Sequence, residues 1–191
     1  MKRTLIVVAH LDDETFGMGA TLAQMCIQDP GKVKVVSLCS GRDELNSTHR
    51  IGAFLEIQRR LKFQWAIHGS YDMTLELSPL VEHTKLIEQH IDMFKPERVF
   101  TLSENDIHQD HKIVSQATKI ASRPSRTGVE EIYEFKTPES EPYGSTYFDT
   151  VNAVKTAYSM KQWMISQYTT ENTPPFENTE YFKTVYRSFE I

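Results

Sequence analysis

Short apolar runs built for burial on two faces recur along this chain, and each is followed by a stretch with helical spacing. Leu5-Ile6-Val7-Val8-Ala9 is the first, Val33-Lys34-Val35-Val36-Ser37-Leu38-Cys39 the second, and Arg98-Val99-Phe100-Thr101-Leu102 a later one. Runs rich in β-branched residues suit central parallel strands, which are covered above and below. Helices are expected between them: Ala20–Met25, opened by a glycine-loosened turn at Gly17 and Gly19 and closed near Pro30-Gly31, then Thr48–Leu61, Leu80–Phe94 before Pro96, and His111–Ser122. Phe63–Ile67 and Val129–Phe135 read as further strands, Val151–Gln167 as a last helix and Tyr181–Phe189 as a late edge strand. The stretch 136–146, rich in Pro, Glu, Ser and Gly, reads as a loop. This alternation predicts an α/β fold, a Rossmann-like, mostly parallel sheet with helices on both faces. With no internal repeat and no linker, residues 1–191 are expected to form a single domain.

Two polar clusters interrupt the pattern. His10-Leu11-Asp12-Asp13-Glu14 follows the first strand, and His108-Gln109-Asp110-His111 follows the strand ending near Leu102. Ligands of open α/β sheets gather beyond the carboxyl ends of the strands, so topology is expected to bring the two clusters together. Alone, the first could be N-capping carboxylates at a helix start and the second a pair of surface histidines. Jointly they offer what a hydrolytic zinc site needs: neutral imidazoles, a carboxylate ligand, and a second carboxylate left over as a base. Adjacent aspartates in an extended loop point in opposite directions, but spacing does not say which of Asp12 and Asp13 would face a metal.

The bulk properties narrow the class. A net charge of −5 argues against nucleic acid as the main partner. Cys26 and Cys39 each lie in an apolar stretch and read as reduced core thiols of an intracellular protein. Met1-Lys2-Arg3 and the apolar run after it have the outline of a leader, but the run stops at His10 and aspartates follow. No stretch approaches the roughly 20 apolar residues that span a bilayer. The expectation is a soluble, cytoplasmic protein with no membrane span. Gly17-Met18-Gly19 after a strand resembles a dinucleotide fingerprint, but carboxylates precede it and the third glycine is missing, so NAD binding is rejected.

Ala9-His10-Leu11-Asp12-Asp13-Glu14, Gly19-Ala20-Thr21-Leu22 and His108-Gln109-Asp110-His111, in this order and spacing, resemble the zinc-dependent N-deacetylases named for the PIG-L and LmbE proteins. The likeness runs from residue 4 to about 120 and more faintly beyond. It implies that His10, Asp13 and His111 bind Zn2+, or another divalent metal. Asp12 would be the general base that takes a proton from water. His108 would steady the oxyanion and protonate the leaving amine, with Asp110 holding its imidazole. Arg50 and Asp72 fall where the family contacts substrate, an N-acylated amino sugar or glycoconjugate. Leu11 replaces the usual Pro, Ala20 replaces a Gly, and Met164-Ile165-Ser166-Gln167 keeps only the Ser-Gln of the family's later His-x-Ser-Gln.

The function expected is removal of an N-acetyl or other N-acyl group from an amino sugar or glycosylated small molecule. The alternatives are hydrolysis of a different amide, and a sugar- or nucleotide-binding protein whose metal site is structural or lost. Glu14 is expected to support the loop or cap the helix. His49, His68, His83 and His90 have no partner pattern and read as surface or helix residues. Pocket shape would lie in loops 42–48, 72–79 and 136–147.

Overall fold

A computed structural model describes residues 1–137, 149–152, 155–170 and 179–188. Five parallel strands form the first part of the sheet: β1 (Thr4–Val8), β2 (Val33–Gly41), β3 (Gln64–Tyr71), β4 (Arg98–Leu102) and β5 (Glu131–Phe135). They are joined by α1 (Asp13–Gln28), α2 (Glu44–Leu61), α3 (Leu80–Phe94) and α4 (Gln109–Ala121). Then come β6 (Asp149–Asn152), α5 (Lys155–Ile165) and β7 (Thr179–Arg187), with both strands antiparallel to their neighbours. The sheet order is β3-β2-β1-β4-β5-β7-β6.

The core explains why the apolar runs form central strands. Every residue of β1 is fully buried, and Val33, Val35, Val36, Val99 and Leu102 join it beneath Leu22, Phe54, Ile87 and Val114 from the helices. β3 lies at one edge and is mostly exposed or half-buried. Strand order runs outward from β1 through β2 to β3, then reverses through β4 to β5. With right-handed crossovers, that reversal puts α3 and α4 on the opposite face from α1 and α2. The switch point therefore lies between β1 and β4, the two strands that deliver the polar clusters.

Three local expectations are corrected. The glycines do not open a helix at residue 17: α1 starts at Asp13 and is broken inside at Met18 (φ −140°, ψ 24°). Gly17 is needed because a Cβ there would lie 2.5 Å from the Phe135 ring and 2.7 Å from the Lys136 carbonyl. Val151 and Asn152 belong to a strand, and the last helix begins at Lys155. β7 is not an edge strand, because β6 pairs outside it. Most of the expected loop 136–146 lies outside the described residues.

The break in α1 exposes fresh helix N–H groups, and Glu180 of β7 meets them. Its carboxylate accepts from the backbone N–H of Ala20 (2.8 Å) and Thr21 (2.9 Å) and from the Thr21 hydroxyl (2.6 Å). Lys161 of α5 balances the charge at 2.9 Å, and both side chains are buried. Among the described residues, no helix is long and apolar enough to cross a membrane.

Candidate metal centre and active site

His10 sits two residues past β1, Asp12 and Asp13 at the start of α1, and His108, Asp110 and His111 at the start of α4. The structure brings them together. His10 Nδ1 lies 3.2 Å from His111 Nε2 and 3.6 Å from Asp13 Oδ2, and His111 Nε2 lies 3.2 Å from Asp13 Oδ1. The outer nitrogens each rest on a different carboxylate: His10 Nε2 on Asp110 Oδ2 at 3.1 Å, and His111 Nδ1 on Asp106 Oδ2 at 2.9 Å.

That layout tests whether a metal suits the site. A neutral imidazole carries one N–H, and a carboxylate beside the outer nitrogen holds the proton there. The inner nitrogens then aim two lone pairs at each other and at the Asp13 carboxylate. Such a junction is repulsive unless a cation, proton or metal, lies in it. Two imidazoles and one carboxylate also match the donor set of hydrolytic zinc sites. The residues fit the group.

The electrostatics agree. Burial alone would lower the pKa of His10, but Asp110 and Asp13 outweigh it and raise the value well above the ordinary range. Burial likewise opposes charge on His111, yet Asp13 and Asp106 carry it up to about 10. Burial works against ionised Asp13 too, and His111 and His10 overcome it, holding the carboxyl well below its usual range. In the absence of metal, protons supply the positive charge that this cluster demands.

His108 closes the group, its ring centroid 4.7 Å from those of His10 and His111. One ring nitrogen from each of the three histidines lies within 4.8 Å of the other two, so His108 is a rival third ligand to Asp13. Asp13 is the better placed, with its two oxygens split between the two inner nitrogens. His108 Nδ1 is engaged as the N-cap of α4, accepting the Asp110 backbone N–H at 3.2 Å. An accepting Nδ1 leaves the ring proton on Nε2. The expected support from Asp110 thus takes a different form. Its backbone N–H serves His108, while its carboxylate serves His10 and accepts the Met73 N–H at 2.6 Å.

Arg50, in α2, and Asp72, just past β3, also meet here, but first with each other. Arg50 NH1 lies 3.0 Å from Asp72 Oδ2, and its NH2 lies 3.4 Å from Asp12 Oδ2, all three side chains being buried. Asp72 Oδ1 is buried with no hydrogen-bond partner and lies 3.8 Å from His10 Nε2. Arg50 therefore braces both the spare carboxylate of the first cluster and the acid after β3.

Asp106 is the site residue that sequence reasoning missed; its only signal was an acid two residues before His108. Glu14 is fully buried, accepting from the Thr15 hydroxyl (2.9 Å) and the Tyr168 hydroxyl (3.3 Å), and burial beside Asp12 pushes its pKa to about 8. Three of the four histidines without an expected role have partners. His83 Nε2 meets the Leu75 carbonyl, and His68 meets His90 at 2.8 Å; His83 and His90 are buried. Ser166 and Gln167 turn back onto the Trp163 carbonyl at the end of α5.

The sequence profile of the family described as PIG-L, GlcNAc-PI de-N-acetylase, matches residues 5–122. The chain belongs to the PIG-L family. No curated protein sequence matches this PIG-L chain significantly. Among solved structures, it resembles a deacetylase of teicoplanin biosynthesis in complex with teicoplanin, with TM-score 0.76, 18% identity, and 97% of this chain and 98% of that one covered. The N,N'-diacetylchitobiose deacetylase of Pyrococcus horikoshii is similar at TM-score 0.70 and 14% identity, covering 96% of this PIG-L chain and 84% of its own. GalB, the 4-carboxy-2-hydroxymuconate hydratase of Pseudomonas putida KT2440, shares the fold at TM-score 0.69 and 14% identity, covering 100% and 99%. The fold thus carries more than one reaction, and the site residues have to decide between them.

Proposed function

We propose that this PIG-L protein is a zinc-dependent N-deacetylase acting on an N-acetylated amino sugar or a glycosylated small molecule. One observation carries the reading. The inner nitrogens of His10 and His111 converge with Asp13 while a second carboxylate, Asp12, is kept out of that junction by Arg50. A purely structural metal site has no use for a spare base beside it. The family description and the deacetylases among the structural neighbours support the same reaction class.

In this mechanism His10, Asp13 and His111 hold the metal. When bound, zinc polarises the acyl oxygen and makes water a better acid near neutral pH. Asp12, oriented by Arg50, takes the proton of the attacking water as the new C–O bond forms. His108 points its Nε2–H at the acyl oxygen as negative charge grows there. The C–N bond then breaks as Asp12 returns the proton it took from water to the departing amine. His108, neutral with its Nδ1 accepting the Asp110 N–H, has no second proton to give and keeps its Nε2–H on the acyl oxygen. The acetic acid formed ionises into solvent, and Asp12 is left as the carboxylate it began as. Asp72 Oδ1, buried and lacking a hydrogen-bond partner, accepts a sugar hydroxyl, with Arg50 fixing its direction. The reading is of a cytoplasmic enzyme, in keeping with Cys26 and Cys39 as buried free thiols.

The test is amine release from a panel of N-acetylated amino sugars and their glycosides, in protein stripped by chelator and in protein reloaded with zinc. Release that disappears with the chelator and returns with zinc is the expected result. No release from any panel member by metal-loaded protein would overturn the amino-sugar reading.

A further inference from the structure

We propose that Asp106 is the positioning residue that sets both histidines of the second cluster, fixing which nitrogen His111 offers to the metal. The proposal rests on the metal reading above and adds a residue that the motif does not contain. Asp106 lies in the loop between β4 and α4 and is 1% exposed. A carboxylate so completely withdrawn from water needs a strong reason to be there. Its two oxygens do separate work. Oδ1 accepts the backbone N–H of His108 at 2.9 Å, which holds the entry to α4. Oδ2 lies 2.9 Å from His111 Nδ1, an ion-pair contact off the line of a hydrogen bond, so its influence on that nitrogen is electrostatic. It also accepts the Thr137 hydroxyl at 3.0 Å.

The consequence is chemical. A neutral histidine ligates through the nitrogen without a proton, and the group beside its other nitrogen chooses which one that is. An anion at Nδ1 keeps the proton on Nδ1 and leaves the Nε2 lone pair facing His10 Nδ1 and Asp13. The same carboxylate anchors the first residue of the cluster through its backbone, so His108 and His111 are fixed by one side chain rather than two. Asp110 plays the matching part for His10. Each metal-facing imidazole is thus backed by its own acid, and only one of these acids lies within the His-x-Asp-His motif.

Asp106→Asn is the informative substitution. Asn keeps the shape and an oxygen for the His108 N–H, but it turns an NH2 toward His111 Nδ1. That favours the tautomer with its proton on Nε2, where the metal should be. Zinc affinity, measured in the full-length protein by competition with a chromogenic chelator, is expected to fall by about 10- to 100-fold. Thr137→Val removes the other partner of Oδ2 and is expected to change it by less than about threefold. An Asp106→Asn protein with lowered Tm but unchanged zinc affinity would make Asp106 merely structural and overturn the proposal. If that variant does not fold, 15N NMR of the zinc-loaded wild type decides: a protonated Nδ1 on His111 is expected, and an unprotonated one refutes the assignment. Wild type that binds no zinc would have a different signature, since it sinks the metal reading itself and this proposal with it.

Discussion

At the scale of single residues, the site separates two neighbouring carboxylates by giving them different partners. Asp13 faces two imidazoles and Asp12 faces a guanidinium. Asp12→Ala should therefore keep its zinc, by metal analysis, while turnover falls by at least about 10²-fold. Arg50→Ala should lower kcat as well as raise KM, because Asp12 loses its brace along with Asp72. A KM effect with kcat intact would confine Arg50 to substrate binding. The His111–Asp13 pair also gives the metal-free protein a pH signature. His111 rises from an ordinary 6.5 to about 10 on folding, so the stability it contributes is fully present below about 6.5 and is lost as pH climbs through about 10. Asp13 is shifted the other way, so the same pair is lost again as pH falls below the ordinary carboxylate range. Thermal melts in chelator should show a Tm falling between pH 6.5 and 10, and zinc should flatten that fall. Much of this was legible in the sequence, because His10, Asp12, Asp13, His108, Asp110 and His111 occupy two short runs beside readable strands. The pairing of Arg50 with Asp72 was not, since the two lie 22 positions apart and nothing local links them.

At the scale of elements, the strands and helices near the site were readable from periodicity, and their ends and breaks were not. β1, β2 and β4 were each legible as apolar runs, but runs apolar on both faces do not fix the register in which they pair. The interruption of α1 at Met18 has no local signature. It depends on Gly17 pressing against Phe135 and on an acid 160 positions from Ala20. Two substitutions probe this. Gly17→Ala would drive a methyl into the Phe135 ring and should cost about 1–3 kcal/mol in denaturant unfolding. Glu180→Ala would leave Lys161 buried and uncompensated and should cost about 3–5 kcal/mol. An unfolding midpoint unchanged in Glu180→Ala would show that the helix break is held by packing alone.

Across the whole molecule, the order β3-β2-β1-β4-β5-β7-β6 puts the candidate site where the sheet changes direction; the alternation of runs predicted a mostly parallel sheet with helices on both faces, but not the order of its strands. The antiparallel end was harder to read, because β6 is four residues long and its pairing with β7 is set by tertiary context. If zinc binds at the proposed site it would tie the loop after β1 and the start of α1 to the start of α4, so saturation at about a thousand times Kd should raise stability by about 4 kcal/mol, read as a Tm that falls when chelator is added. Glu180 has one more consequence, and it concerns time. Every residue assigned to the chemistry has left the ribosome's peptidyl centre once His111 is made, but the acid that caps the broken helix comes 69 residues later. At about 5–20 residues per second, the nascent chain spends several seconds with its catalytic groups synthesised and their supporting helix unfinished. Activity should switch on only after Glu180 has been made, and not build up gradually once His111 is in place.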